Sequence, residues 1–295
     1  MPVVRTAPEP VWELGGRLLE GPVWSETGQA LWFVDIKARK IHRFDPAMEN
    51  ASWDAPGQVG FCLPAEDGRM IAGLQRGLAV FDPADGSFAP FLDPEPTIPG
   101  NRLNDATVDA AGNLWFGTMD DAEIEPTGRI WRLDKNGNCR AMTDLATITN
   151  GPAISPDGLT LYHVDTLEGI IHAATLNAHG DLTSTRIFAE IPETDGYPDG
   201  PTVDAEGCLW VGLYNGHSVR RYSPQGELLD TVEFPVSAIT KVAFGGPEMR
   251  TIYATTASKH LDAGGRAREP LAGALFAFDV DVPGMAVPPV RATTP

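Results

Sequence analysis

The sequence predicts an all-β protein, a six-bladed β-propeller with four-stranded blades, on three observations. A pair of apolar residues, most often ending in an aromatic, returns six times along the 295 residues at intervals of roughly 40 to 50 residues, the length of a propeller blade. Turn-forming dipeptides such as Asp-Gly and Glu-Gly precede most of these pairs, as in tight β-hairpins. No long segment has helical periodicity. We expect residues 1–295 to form one domain, since single all-β domains reach this length.

The repeated pairs mark one strand in each blade. They are Leu31-Trp32, Met70-Ile71, Leu114-Trp115, Leu161-Tyr162, Leu209-Trp210 and Ile252-Tyr253. Further β-rich runs follow each pair, so that about four short strands per repeat close into a ring without exposed sheet edges. We expect the terminal segment Val11–Leu14 to complete the last blade, and the Trp residues of the pairs to lie in the core. Residues 168–180 are the nearest candidate for a helix and fit a strand equally well.

The composition and charge exclude some classes of binding partner. The net charge is −18, with 22 Lys and Arg against 40 Asp and Glu, so a nucleic acid or an anionic membrane surface is not expected as a partner. No apolar run reaches the length of a membrane span, and the first residues lack the apolar core of a secretory signal. Cys62, Cys139 and Cys208 are an odd number without a CxxC motif and are expected as free thiols. We therefore expect a cytoplasmic protein, and a monomer.

Polar residues occupy one equivalent position of the repeats. Eleven or twelve residues before the second member of each pair stand Glu20, Gly60, Asn104, Asn150, Asp199 and Lys241. Equivalent positions of propeller blades lie on one ring around the axis, so these side chains should meet at the mouth of the central channel. Carboxylate and amide oxygens are ligands for Ca²⁺, Mg²⁺ or Mn²⁺ rather than for a structural zinc ion. The ring therefore predicts a divalent cation site, with Lys241 either paired with Asp199 or facing the channel.

Other catalytic motifs are absent from the sequence. It contains no GxSxG nucleophile elbow, no HExxH, no P-loop and no GxGxxG, and its six histidines show no spacing typical of metal ligands. A serine-hydrolase triad and a nucleotide-binding loop are therefore not expected.

Several segments around the ring carry a family resemblance. They are Leu19–Trp24, Asn101–Asp105, Thr149–Pro152 followed by Ser155–Gly158, and Tyr197–Gly200. Together they resemble the senescence-marker-protein, regucalcin and gluconolactonase family over nearly the whole chain. Pro152 and Pro201 depart from the pattern of many members, which should alter turn stiffness more than ligand identity.

The resemblance implies one divalent metal ion (Ca, Zn, Mn, Mg or Fe(II)) and a set of site residues. Glu20, Asn150 and Asp199 would hold the metal, and Arg102 and Asn104 would contact a sugar. Asp121, in the acidic loop 120–128 that we expect at the rim, is a third candidate for substrate binding. Asp199 is the candidate general base; whether it or a metal-bound hydroxide takes that role stays open.

The activity implied by the resemblance is that of a metal-dependent sugar lactonase, which hydrolyses an aldonolactone of the gluconolactone or xylonolactone type to the aldonic acid. A non-catalytic calcium-binding regulatory propeller would use the same oxygens but would need no arginine for a substrate, so Arg102 favours the enzyme. A WD-type scaffold is disfavoured because the repeated Trp-Asp signature is missing. An esterase for organophosphates or aryl esters would need a more apolar pocket.

Overall fold

The fold is all-β, as expected from the repeats. The structure, a computed structural model, describes residues 3–291. The strands of this region are β1 (Glu9–Trp12), β2 (Leu19–Ser25), β3 (Ala30–Asp35), β4 (Lys40–Phe44), β5 (Ala51–Asp54), β6 (Val59–Pro64), β7 (Met70–Leu74), β8 (Gly77–Asp82), β9 (Ser87–Leu92), β10 (Asn101–Val108), β11 (Leu114–Asp120), β12 (Ile130–Leu133), β13 (Cys139–Ala141), β14 (Thr149–Ile154), β15 (Thr160–Asp165), β16 (Ile170–Leu176), β17 (Leu182–Glu190), β18 (Tyr197–Val203), β19 (Leu209–Tyr214), β20 (Ser218–Tyr222), β21 (Leu228–Glu233), β22 (Ile239–Gly245), β23 (Thr251–Thr256) and β24 (Leu275–Asp279).

Helical structure is confined to short pieces. A 3₁₀ turn spans Glu193–Asp195, and helix α1 spans Ala263–Arg268, where the Asp262 side chain accepts a hydrogen bond from the Gly265 amide and caps the first turn. The segment 168–180, the nearest candidate for a helix, contains strand β16 (Ile170–Leu176) and the turns beside it, in line with the alternative that the sequence allowed. Within residues 3–291, no helix is both long and apolar enough to cross a membrane.

Successive groups of four strands form antiparallel sheets in chain order. Strands β2–β5, β6–β9, β10–β13 and β14–β17 each make one sheet. The other eight strands are joined in the order β1-β24-β23-β22-β18-β19-β20-β21, but a single parallel bridge, Gly200 to Lys241, is all that links β22 to β18. Four antiparallel strands lie on each side of this bridge. Strand β1 pairs with β24, so the expected N-terminal strand does complete the last group, two residues earlier than predicted.

The first strands of the groups lie side by side. Strand β2 contacts β6 and β22, β10 contacts β6 and β14, and β18 contacts β14 and β22. Outer strands then follow away from this common centre within each sheet. The arrangement is consistent with a β-propeller in which the first strands surround a central channel.

The repeated aromatic residues fill the space between the sheets, as predicted. Trp115 and Trp210 are fully buried, and each indole donates a hydrogen bond of 2.9 Å to an aspartate six residues earlier, Asp109 and Asp204. A partner for the indole N–H is what allows so large an amphipathic ring to be buried. The three cysteines are free thiols.

Candidate metal and substrate site

All six first strands are irregular at the predicted ring position. The pairing register shifts between Glu20 and Val23 in β2, and equivalent shifts occur in β6, β10, β14, β18 and β22. A β-bulge bends its strand and re-aims side chains. Gly21 and Gly151, directly after Glu20 and Asn150, have φ values of +57° and +76°, which glycine adopts at little cost. The glycines that the sequence places after the ring residues therefore serve the bulges that turn those side chains inward.

One cavity of about 260 Å³ collects most of the predicted site residues. Glu20, Arg102, Asn104, Asn150 and Asp199 all line it, and all five are buried. The other lining residues are Leu18, Met119, Glu123, Ile148, Thr166, Leu167, Tyr197, Tyr214, Asn215 and Lys259. Both polar and apolar residues therefore line the cavity, as is common for small-molecule sites.

A chain of hydrogen bonds fixes the amides of the site. Arg102 Nη1 donates to Asn104 Oδ1 (2.6 Å), Asn104 Nδ2 donates to Asn150 Oδ1 (2.8 Å), and Asn150 Nδ2 donates to Thr166 Oγ1 (2.9 Å). Each donor in this chain determines which end of the next amide is oxygen. The amide oxygen of Asn150 therefore points toward Asn104 and the cavity, where it can also accept a cation.

Asp121 does not line the cavity. Its oxygens accept hydrogen bonds from Arg102 Nε (2.9 Å), Lys37 Nζ (2.7 Å) and Gln58 Nε2 (2.7 Å). Partial burial alone would raise the pKa of Asp121, but the bonds from Lys37 and Gln58 outweigh it and lower the pKa to about 2. The structure thus places Asp121 behind Arg102, where it holds the guanidinium, and Glu123 of the same loop reaches the cavity instead.

Two buried carboxylates of the site, Glu20 and Asp199, form no ion pair with any residue in the described range 3–291. Burial first, and then the charge of Asp105, raises the pKa of Glu20 to about 7; one of its oxygens accepts only from the Gly21 amide (2.9 Å). Burial, Glu20 and Asp105 raise the pKa of Asp199 well above its ordinary value. Asp199 Oδ1 is buried and has no hydrogen-bond partner within residues 3–291.

These oxygens suit a hard divalent cation. An unpartnered buried carboxylate oxygen is costly, and a cation beside it removes that cost. Within the described chain no group of three or more His, Cys, Asp or Glu side chains is placed to hold a metal. The candidate set is instead two carboxylates and an amide, Glu20, Asp199 and Asn150, which is a donor set of oxygens only.

Lys241 does not pair with Asp199, the partner that the sequence suggested. Its ammonium forms a buried ion pair with Asp105, and the expected alternative of pairing with Asp199 is wrong. Asp105 Oδ2 also accepts from the Gly151 amide (2.9 Å), directly after Asn150. Strand alternation would place Asp105 on the opposite side from Asn104, but the bulge between Leu103 and Ala106 interrupts the alternation. Sequence reasoning missed Asp105 for that reason.

The mouth of the cavity is formed by loops. Lys259 Nζ donates to Glu123 Oε1 (2.7 Å), joining the loop after β11 to the segment after β23. Lys259 also lies 5.9 Å from the ring centroid of Tyr214, at the end of β19. Loop 120–128, expected at the rim, does contribute Glu123 there. Sequence reasoning missed both Lys259 and Tyr214. A signal for Tyr214 was available, because it stands four residues after Trp210, and the equivalent positions of two other repeats, Met119 and Thr166, line the same cavity.

Comparison with known proteins identifies the family of the chain. A sequence profile described as "SMP-30/Gluconolactonase/LRE-like region" matches residues 18–258. A 6-deoxy-6-sulfogluconolactonase from Pseudomonas putida is 35% identical over 272 residues, covering 91% of this chain and 93% of that protein. A pentonolactonase from Haloferax volcanii is 33% identical, covering 91% and 92%. A solved structure of a calcium-binding protein, regucalcin from Agrobacterium tumefaciens, superposes with a TM-score of 0.93 at 28% identity, covering 99% of this chain and 100% of that one. The chain belongs to the SMP-30/gluconolactonase family.

Proposed function

We propose that this protein is a metal-dependent sugar lactonase, a hydrolase acting on the cyclic ester of an aldonolactone. We further propose that residues 1–295 form one closed six-bladed propeller, although residues 1–2 and 292–295 lie outside the described part, and that the protein is a cytoplasmic monomer. The relatives support the reaction class, since two of them are named as lactonases of sugar acids. The single observation that carries the proposal is that one cavity is lined both by Asp199, whose buried Oδ1 has no partner among residues 3–291, and by a fixed arginine and amide, Arg102 and Asn104.

The metal would be held by Glu20, Asn150 and Asp199, whose oxygens fit Ca, Zn, Mn, Mg or Fe(II). A divalent ion bound there would polarise the lactone carbonyl and stabilise the negative charge that develops on its oxygen. The chain's own residues supply the rest. Arg102 donates a hydrogen bond to the sugar, and Asn104 Oδ1 accepts one from a sugar hydroxyl, because both N–H groups of the Asn104 amide already donate to the Thr149 carbonyl (2.8 Å) and to Asn150 Oδ1 (2.8 Å). Arg102 is held from behind by Asp121. Such fixed groups lower the entropy cost of reaching the reactive geometry.

Asp199 is the candidate general base. Among the described residues its Oδ1 has no partner, so it can accept the proton of the attacking water while that water's oxygen forms the new bond to the carbonyl carbon. The C–O bond of the ring then breaks, and the ring oxygen leaves as a hydroxyl after taking up the proton that Asp199 accepted. The product is the open-chain aldonic acid.

A calcium-binding regulatory role is the second candidate, favoured by the fold similarity to the regucalcin structure. It needs the oxygen ligands but gives no reason for Arg102, which is 3% exposed and fixed by Asp121 and Asn104 in the cavity wall. A buried arginine aimed at a cavity is a group for recognising oxygen-rich ligands. We therefore favour the enzyme.

A lactone panel tests the proposal. Gluconolactone, xylonolactone, galactonolactone and a homoserine lactone are incubated with the metal-loaded protein and with chelator-treated protein, and acid release is followed. We expect hydrolysis of an aldonolactone that requires metal and is abolished in Asp199→Ala. Asp54→Ala, at an exposed position outside the cavity, is the control and should keep full activity. Equal rates with and without chelator, or full activity in Asp199→Ala, would contradict the proposal.

A further inference from the structure

The hydroxyl of Tyr214 is the second buried polar atom of the cavity that has no partner. Within residues 3–291 neither Tyr214 Oη nor Asp199 Oδ1 makes a hydrogen bond, and both residues line the same cavity. Tyr197 also lines it, but its hydroxyl donates to Glu193 Oε1 (2.6 Å). A buried hydroxyl without a partner carries the desolvation cost of an unmade hydrogen bond, so such a group marks a place where a ligand or water completes it.

The ring that carries this hydroxyl is held in place from two sides. His260 packs edge-on against it, with ring centroids 5.2 Å apart and planes at 60°, and Lys259 Nζ lies 5.9 Å from its centroid. His260 is fixed in turn, because its Nε2 lies 2.9 Å from Ser237 Oγ, which itself donates to Glu269 Oε2 (2.8 Å). Since the serine proton goes to Glu269, the imidazole N–H is the donor to Ser237. The position of the Tyr214 hydroxyl is therefore set before a ligand arrives.

The hydroxyl is available as a donor, because a phenol, with a solution pKa of about 10, keeps its proton at neutral pH. None of the described residues accepts that proton in a hydrogen bond. An acceptor oxygen from outside the protein would satisfy it.

We propose that Tyr214 is a substrate-binding residue whose hydroxyl donates a hydrogen bond to an oxygen of the bound sugar lactone. This inference rests on the proposed lactonase function and adds a contact to it. Arg102 and Asn104 come from β10, whereas Tyr214 comes from β19, in a different sheet. Arg102 and Tyr214 thus supply donors from two sheets to one cavity, and lactones or lactams, which offer carbonyl and hydroxyl acceptors, are the ligands that fit.

The test removes one oxygen atom. Tyr214→Phe keeps the ring and its contacts with His260 and Lys259 but deletes the hydroxyl. Tyr162→Phe is the matched control, because Tyr162 is buried against Phe188 outside the cavity. Three quantities are measured for each protein: kcat/KM for the best aldonolactone of the panel, the affinity for the corresponding non-hydrolysable sugar lactam, and the affinity for the activating metal ion by calorimetry without substrate.

We expect Tyr214→Phe to lower kcat/KM and lactam affinity by about tenfold to a hundredfold, the effect of losing one buried hydrogen bond, while metal affinity stays within about twofold. Unchanged kcat/KM and lactam affinity would overturn the assignment, and so would an equal loss in metal affinity, since Tyr214 would then act through the metal ligands. A wild-type protein that hydrolyses no lactone would instead overturn the proposed function and this contact with it. An active wild type with an unimpaired Tyr214→Phe variant would overturn only the contact.

Discussion

The buried ion pair between Lys241 and Asp105 offers a quantitative test of how the centre of the fold is stabilised. The Lys241 side chain is 7% exposed and that of Asp105 is 1% exposed. In Lys241→Met the ammonium is removed, but a stem of similar length still covers Gly200, where any Cβ would lie 2.6 Å from the lysine Cγ. The substitution therefore isolates the charge, and it leaves Asp105 without a cation.

The size of the loss follows from what Asp105 can still do. Two backbone amides, Ala106 and Gly151, continue to donate to it at 2.7 and 2.9 Å. Breaking a buried pair from one side costs about 3–5 kcal/mol. The carboxylate can also become neutral by taking up a proton, which at pH 7 costs about 4 kcal/mol for a group whose solution pKa is about 3.9. This cost is the upper limit of the loss in stability. We expect a loss in the free energy of unfolding of about 3 kcal/mol at pH 7, below this ceiling.

Because Asp105 can take up this proton, the free energy of unfolding of Lys241→Met should depend on pH. Burial raises the pKa of Asp105 and the Lys241 ammonium opposes this, so removing the ammonium raises the pKa further. As the pH falls, the folded variant takes up a proton before its unfolded chain does, so part of the lost stability returns at lower pH. Relative to wild type, the deficit of Lys241→Met should shrink by about 1–2 kcal/mol in total as the pH is lowered from 7 to 5.

Urea unfolding at pH 7, 6 and 5 in chelator measures these differences. In the double variant Lys241→Met/Asp105→Asn the buried charge is gone, and we expect most of the stability to return. Lys40→Met is the surface control: its partner Asp54 is 86% exposed, and the loss should stay below about 1 kcal/mol. A loss in Lys241→Met no larger than in Lys40→Met, or a double variant as unstable as the single one, would refute the reasoning.

Three further predictions address the ring and the pH range of stability. Glu20→Gln should weaken divalent-ion binding about tenfold or more in calorimetry while the apo protein keeps its urea midpoint; unaltered metal affinity would remove Glu20 from the ligand set. Gly60→Ala should lower stability by about 1–3 kcal/mol and reduce lactonase activity, because the new Cβ would stand 2.4 Å from the carbonyl oxygens of Leu103 and Asn104, whereas Gly57→Ala, with open space, should do neither. His42 is buried, and burial lowers its pKa to about 4, so only the unfolded chain takes up a proton between pH 6.5 and 4; we expect about 2 kcal/mol of stability to be lost from pH 7 to 5, and His42→Gln to flatten that slope in urea titrations.

Periodicity explains how much of the fold could be predicted. Each sheet repeats the same order of short strands, so counting from one aromatic pair to the next also counts from one inner strand to the next. Glu20, Asn104, Asn150 and Asp199 were found in this way, and the structure places all four in one cavity. A strand near the N-terminus was also expected to complete the last blade, because a propeller is usually closed by a terminal strand that joins the last sheet. Strand β1 does pair with β24.

The contacts that a period does not encode could not be predicted. Asp121 was expected at the substrate, but its oxygens are taken by Arg102, by Lys37 from the segment after β3 and by Gln58 from the residue before β6. Lys37 and Gln58 stand 84 and 63 residues away from Asp121 in sequence, and nothing in the period pairs them with it. The hydroxyl of Tyr214 likewise gains its meaning from the groups around it in the fold. Such roles are found only when the chain is folded, because they depend on which neighbours a side chain meets.

The pairing of Lys241 with Asp105 also determines what the cavity can bind. The ring brings Glu20 and Asp199 together with one ammonium, and an ion pair between Lys241 and Asp199 would have satisfied that carboxylate inside the protein. Because the bulge in β10 turns Asp105 inward, the ammonium pairs with Asp105, and Asp199 Oδ1 has no partner anywhere in residues 3–291. The remaining negative charge is then available to a cation from solution. Asp105 thus keeps the site open for a metal, although it is not a candidate ligand itself. It has this role because the register shift in its own strand, β10, lets it pair with Lys241 of β22.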